Sequence, residues 1–288
     1  MKKIIVPIDF SECSQEALQT AAELAKKVNA EIHLVHVYEK PLSGMTLQIE
    51  VDMAALRMVR ERLEEEMELV LQSDLLKGLT VNKHLIADKR LWQVLTLPEL
   101  NQSDLIVMGT HGTSGANEFF VGSNVQKVIQ MADVPVLAIK EYLDVNAIKN
   151  IVFASNFFGE AEAGFERIRD FATQVNGTLH LLKVITPTNF EESQMSTKLM
   201  EDFAAKFELK NYTVNTCVDR SLERGILDYA DHLHADIIAL ETHGRKGFAH
   251  MIHGSTAEDI ANHSHRAVLT TRIEVPETEF GTIFPDNV

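Results

Sequence analysis

The chain carries a near-copy of itself, and that duplication restricts its possible folds more than any other feature. Ile4-Ile5-Val6 is matched by Ile151-Val152-Phe153, 147 residues later. At the same offset Val28-Asn29-Ala30-Glu31-Ile32-His33-Leu34 is matched by Val175-Asn176-Gly177-Thr178-Leu179-His180-Leu181. Farther along the offset falls to 132: Asp104-Leu105-Ile106-Val107 answers to Asp236-Ile237-Ile238-Ala239, and Thr110-His111-Gly112 to Thr242-His243-Gly244. Val136-Leu137 likewise answers to Val268-Leu269. The changed offset means that the second copy lacks about a helix's worth of residues between these blocks. Two copies, 1–143 and 144–288, fill the 288 residues, each of ordinary domain size. Their join, 141–150, is short and not rich in Gly or Ser, which predicts copies packed together rather than loosely tethered.

Within each copy, strands alternate with helices. In the first, 4–8 reads as a buried strand, broken from the next element by Asp9. Ser11 or Ser14 caps the following helix, whose inner face carries Ala17, Ala21, Leu24, Ala25 and Val28 at spacings of three and four. Further strands are expected at 32–37, 79–86, 105–108 and 134–139. Between them lie a long charged helix with Leu56, Val59, Leu63, Met67 and Val70 on its apolar face, a helix over 91–100 that Pro98 kinks or shortens, and a helix with its core at 124–131. Strict alternation predicts an α/β fold of two tandem Rossmann-like domains, each a five-stranded parallel sheet with helices on both faces. Such sheets take ligands at the carboxyl ends of the strands, where strand order reverses.

After the fourth strand comes Gly109-Thr110-His111-Gly112, then nine residues, then Gly122-Ser123-Asn124 at the start of the fourth helix. Glycine lets backbone N–H groups approach a ligand closely. A helix start offers free N–H groups and a positive dipole end, both suited to phosphate. The residues between the two glycine clusters form an excursion that could fold over a polyphosphate. No Lys follows Gly122, so this is not a P-loop. The competing reading is that these glycines only build turns.

The pattern G-x2-G-x9-G-[ST], behind D-L-I-V-M and ahead of V-P-V-L, resembles the universal stress protein family, as does V-P-I-D followed two residues later by Ser11. The resemblance covers both halves and implies two adenine nucleotide alpha hydrolase-like domains. For the first half it implies ATP binding. Pro7 and Asp9 would lie beside ribose and phosphates, Val37 would meet the adenine through its backbone, and Met108 and Gly109 would flank the ribose–phosphate region. Gly112, Gly122, Ser123 and Asn124 would cradle the phosphates, and Asp9 would accept a ribose hydroxyl or help hold Mg²⁺. Ala87 and Asp88 stand where the family often has a glycine. The resemblance also implies that the fifth strands, 134–139 and 267–271, pair across the contact between the copies, with further association into a homodimer left open. The implied role is a nucleotide-responsive regulatory protein with an unnamed protein partner and at most slow ATP hydrolysis. A ligand-free dimerisation scaffold is the alternative. An ATP-pyrophosphatase enzyme would need an S-G-G-x-[DS] loop after strand one, where this chain has Ile8-Asp9-Phe10-Ser11.

The second copy departs from the first. Glu241 replaces Gly109, Asn156 replaces Asp9 and Ala154 replaces Pro7, while Gly244, Gly254 and Ser255 keep the spacing. A carboxylate beside a polyphosphate costs on the order of 4 kcal/mol at ~4 Å and an effective dielectric of ~20. Unequal halves are therefore expected, with ATP in the first alone.

The net charge of −15, with no basic patch, argues against nucleic-acid and anionic membrane partners. Two cysteines far apart, no leader-like start and no long apolar run make the cytoplasm the expected location. Seven of the twelve histidines fall between 232 and 265, a composition open to zinc, but no Cys or carboxylate pattern completes a site. Cys13 reads as a packed thiol, the Met45–Met53–Met58–Met67 series as packing, and residues 274–288 as a surface extension.

Overall fold

The structure is a computed structural model that describes residues 1–39, 49–95, 97, 100, 102–110, 122–158, 162–189, 192–243 and 254–273. The first half runs β1 (Lys3–Pro7), α1 (Glu12–Val28), β2 (Glu31–Tyr38), α2 (Ile49–Leu71), β3 (Val81–Ala87), α3 (Leu91–Val94), β4 (Leu105–Gly109), α4 (Ser123–Met131) and β5 (Val136–Ile139). The second runs β6 (Asn150–Ala154), α5 (Glu162–Val175), β7 (Thr178–Ile185), α6 (Ser193–Lys206), β8 (Tyr212–Val218), α7 (Leu222–His232), β9 (Ile237–His243), α8 (Gly254–His263) and β10 (Ala267–Ile273).

All ten strands join one sheet in the order β3-β2-β1-β4-β5-β10-β9-β6-β7-β8. Pairing is parallel inside each half. At the seam β5 meets β10 antiparallel, with Leu137 opposite Leu269. The fifth strands thus join the copies, as the family resemblance implies. The apolar strand runs, buried on both faces, produce two core layers. One lies under α1 and α5 and includes Ile4, Leu34, Phe153 and Phe165; the other lies under α4 and α8 and includes Ile106, Val128, Ile238 and Ile260.

Side chains lock the seam. Lys140 Nζ donates to the Asn262 carbonyl at 2.6 Å, and its partial burial lowers its pKa. Gln130 bonds Glu258, and Arg272 pairs with Asp133 at 2.7 Å. The join between the copies is anchored too: Val145 and Ile148 are buried, and Thr20 Oγ1 accepts from the Leu143 amide at 3.1 Å. Tyr142 donates to Glu23, which pushes the phenol pKa up to about 12.

Pro98 shortens the third helix as expected, and two expectations on α2 need correction. The helix expected over 91–100 stops at Val94: Pro98 supplies no amide, and the residue before a proline is biased away from helix. On α2, Met67 is buried but Val59 and Met58 are exposed, so the expected apolar face does not pack continuously on the core. Met58 thus lies outside the packing stripe, and Met45 lies outside the described residues.

Candidate functional site

In the first half, strand order reverses between β1 and β4, and a cleft of about 260 Å³ opens at their carboxyl ends. Pro7 ends β1 and Asp9 follows it into the cleft, Val37 enters from β2, and Met108 and Gly109 end β4. Gly122, Ser123 and Asn124, at the start of α4, close the far wall. The structure therefore brings eight of the nine sequence-derived residues around one space. The ninth, Gly112, lies outside the described residues. Val35, Leu91 and Ser14 also line the cleft and were not singled out from the sequence. The alternation of side chains along β2 could have found Val35, since it shares a face with Val37.

The cleft has two chemically different ends. Val35, Val37 and Leu91 make one end apolar. At the other, α4 starts at Gly122, which has no side chain to cap it; the Val125 amide bonds the Gly122 carbonyl at 3.0 Å, and among the described residues nothing accepts from the Ser123 and Asn124 amides. The Gly122 amide donates to the Thr110 carbonyl at 2.9 Å, so the two ends of the 111–121 segment are tied together. Among the described residues, a Cβ on Gly122 would come no closer than 3.6 Å, at Thr110 O, so none of them requires glycine here. Asp9 is the only charged residue among the described lining residues.

Two site residues have structural duties. A Cβ on Gly109 would lie 2.7 Å from both the carbonyl oxygen and Sγ of Cys13. Glycine is required there because the first turn of α1 rests on β4. Cys13 is accordingly packed, its thiol donating to the Ile139 and Lys140 carbonyls at 3.5 Å. Asp9 Oδ1 accepts from the Ser11 amide at 3.1 Å and from its hydroxyl, shaping the turn into α1 through Phe10 at φ 65°. The second half repeats this device: Asn156 Oδ1 accepts from the Phe158 amide at 3.1 Å, and Phe157 has φ 61°. The replacement of Asp9 by Asn156 thus preserves the turn and removes only the charge.

Glu241 overturns one expectation. Its carboxyl does not face the cleft as a charge. It is 3% exposed and packs beneath α5, where a Cβ on Gly164 would come 3.1 Å from Oε1. Burial raises its pKa to about 9, so it is neutral at pH 7. Ser155 Oγ donates to Oε2 at 3.4 Å, while Oε1 and the neighbouring Thr271 Oγ1 have no hydrogen-bond partner among the described residues. The electrostatic argument from Glu241 for a weakened second site therefore does not hold; Glu241 is a buried, neutral packing group.

A larger cavity of about 570 Å³ lies at the ends of β7 and β8, lined by Thr186, Val218, Asp219 and Arg224. It stands away from the strand reversal, and its Arg224 already pairs with Asp219 and Asp228. The smaller first-half cleft is the better-built site. Of the clustered histidines, His232, His234, His263 and His265 are exposed, and among the described residues no three potential ligands converge on a metal.

A doubly wound sheet, duplicated and sealed edge to edge, with a glycine-lined cleft at one strand reversal, defines a class of two-lobed α/β protein. Comparison narrows the class. The profile of the Universal stress protein family matches residues 1–140 and again 147–272, and the chain belongs to that family. Universal stress protein MJ0531 of Methanocaldococcus jannaschii is 30% identical over 151 residues, covering 49% of this chain and 82% of that one. Universal stress protein YxiE of Bacillus subtilis is 28% identical over 145 residues, covering 48% and 98%. A universal stress protein structure from Archaeoglobus fulgidus superimposes with a TM-score of 0.67 at 19% identity, covering 94% of this chain and 96% of that chain, and shares the fold.

Proposed function

We propose that the first half binds ATP as its magnesium complex and that the second half does not, making the chain a nucleotide-responsive regulatory protein of the cytoplasm. The observation that carries the reading is the uncapped start of α4, which opens on a cleft whose opposite end is apolar. Phosphates suit the N–H groups and dipole at that helix start, and an adenine suits the Val35–Val37–Leu91 end. Pro7, Met108 and Gly109 lie between, where the ribose would rest. With Asp9 as the only charged residue among the described lining residues, those residues bring no cation to the polyphosphate. A divalent ion supplies that charge, and Asp9 is the acid placed to meet it.

Binding and orientation are the work of this chain's residues, through backbone donors and apolar walls. The second half keeps the turn and the seam but has Ala154 and Asn156 in place of Pro7 and Asp9. Native mass spectrometry of freshly purified chain tests the reading. Up to one adenine nucleotide per chain is expected, retained with Mg²⁺ and lost with chelator. No retained nucleotide, together with no uptake from excess Mg-ATP, would contradict it.

A further inference from the structure

The sheet ends in two edges, β3 and β8, and they are built differently. On β3, Thr80 O and Asp88 N bond to β2, so Val81, Lys83, Leu85 and Ala87 turn their backbone groups outward. Lys83 occupies the middle of that row and pairs with Glu68. A lysine at mid-edge is a common means of blocking strand addition. On β8, Asn211 O and Asp219 N bond to β7, so Tyr212, Val214, Thr216 and Val218 turn theirs outward. The strand Tyr-Thr-Val-Asn-Thr-Cys-Val contains no charge and no proline. Tyr212 is 37% exposed and Val218 77% exposed, at its two ends. Among the described residues nothing pairs with this outer row.

We propose that β8 is a self-pairing edge through which a second copy of this chain joins its sheet, antiparallel, across a two-fold axis at Asn215. The strand is complementary to itself in that register. Tyr212 falls opposite Val218 of the second copy, and Val214 opposite Thr216, all four being residues whose N–H and C=O point outward. Both exposed apolar side chains are then covered by each other, on one face. Lys210 and Arg220 fall outside the paired span. The chain already uses this kind of contact internally, since β5 and β10 meet antiparallel at the seam. Symmetry closes the assembly at two copies through this edge, because the same patch serves both partners.

Sedimentation velocity of the full chain over a concentration series is the test. A dimer is expected, with a dissociation constant at least ~10-fold weaker in Thr216→Pro. That proline removes an outward N–H and none that β7 uses, so the monomer fold is retained. In a Cys13→Ser, Cys217→Ser background, Asn215→Cys is expected to form a disulfide-linked dimer on mild oxidation. Residues on the axis of a non-hydrogen-bonded pair lie about 4.5 Å apart, within disulfide range. A chain that is monomeric throughout, or a dimer indifferent to Thr216→Pro that Asn215→Cys does not crosslink, overturns the proposal. Should Thr216→Pro not fold, the crosslink decides alone. Dimer loss without a crosslink overturns the register about Asn215.

Discussion

The two halves place their small residue on opposite sides of the same contact. In the first, Gly109 on the strand lets the first turn of α1 settle at Cys13. In the second, the strand carries Glu241 and the helix carries Gly164, at the position where α1 has the buried Ala17. Space is conserved between helix and sheet, but which element supplies it has switched. Consequently the second half holds a buried neutral acid where the first has bare backbone. Divergence after duplication here proceeded by exchanging volume across a contact, and the fold of both copies survived.

Four changes would break or sharpen that comparison. The largest effect is expected from Gly109→Glu. Its Cβ meets Cys13 backbone at 2.7 Å, and α1 has no glycine beneath to receive a carboxyl. A stability loss of about 3 kcal/mol or more is expected in urea denaturation, with Mg-ATP affinity reduced at least ~100-fold.

Glu241→Gln comes next, in the opposite direction. The folded pKa lies near 9 against an ordinary value of 4.5, so between these pH values the folded state holds a proton that the unfolded state has released. Stability in that window falls as pH rises. Glutamine removes the effect. The variant is expected to match wild type near pH 4.5 and to exceed it by about 3 kcal/mol at pH 7, with the gap widening until about pH 9. Parallel thermal melts across pH would check this, and a gap constant with pH would contradict a buried neutral acid.

Gly164→Ala is expected to cost about 1–3 kcal/mol, because its Cβ would lie 2.8 Å from Thr271 Oγ1 and 3.1 Å from Glu241 Oε1. In a Glu241→Ala background the same change should cost less, which a double-mutant cycle measures. The smallest effect is expected at the seam: Asp133→Ala removes an exposed ion pair with Arg272 and should lower stability by under ~1 kcal/mol.

Much of the fold was legible because its signals are local. Apolar runs such as Ile4-Ile5-Val6 and Leu105-Ile106-Val107 mark strands by themselves, and the repeat doubles each signal. The spacing from Gly109 to Gly122 marked the end of β4 and the start of α4, and the structure joins the two through the Gly122 amide and the Thr110 carbonyl. What the sequence hid depends on partners far away in the chain. The neutrality of Glu241 requires Gly164 on another element and the apolar layer under α5. The packing reason for Gly109 requires Cys13, nearly a hundred residues earlier. The truncation of α3 at Val94 needed no such partner; Pro98 announced it, but not the residue at which the helix stops.

Isothermal titration with Mg-ATP of wild type beside Gly122→Glu tests the central claim most directly, because among the described residues none crowds a side chain at 122, and that residue lines the cleft at the start of α4. One site per wild-type chain and none in the variant, with unchanged melting, is the expected result. Two equivalent sites in wild type, or undiminished binding in Gly122→Glu, would contradict a single nucleotide cradle at the start of α4.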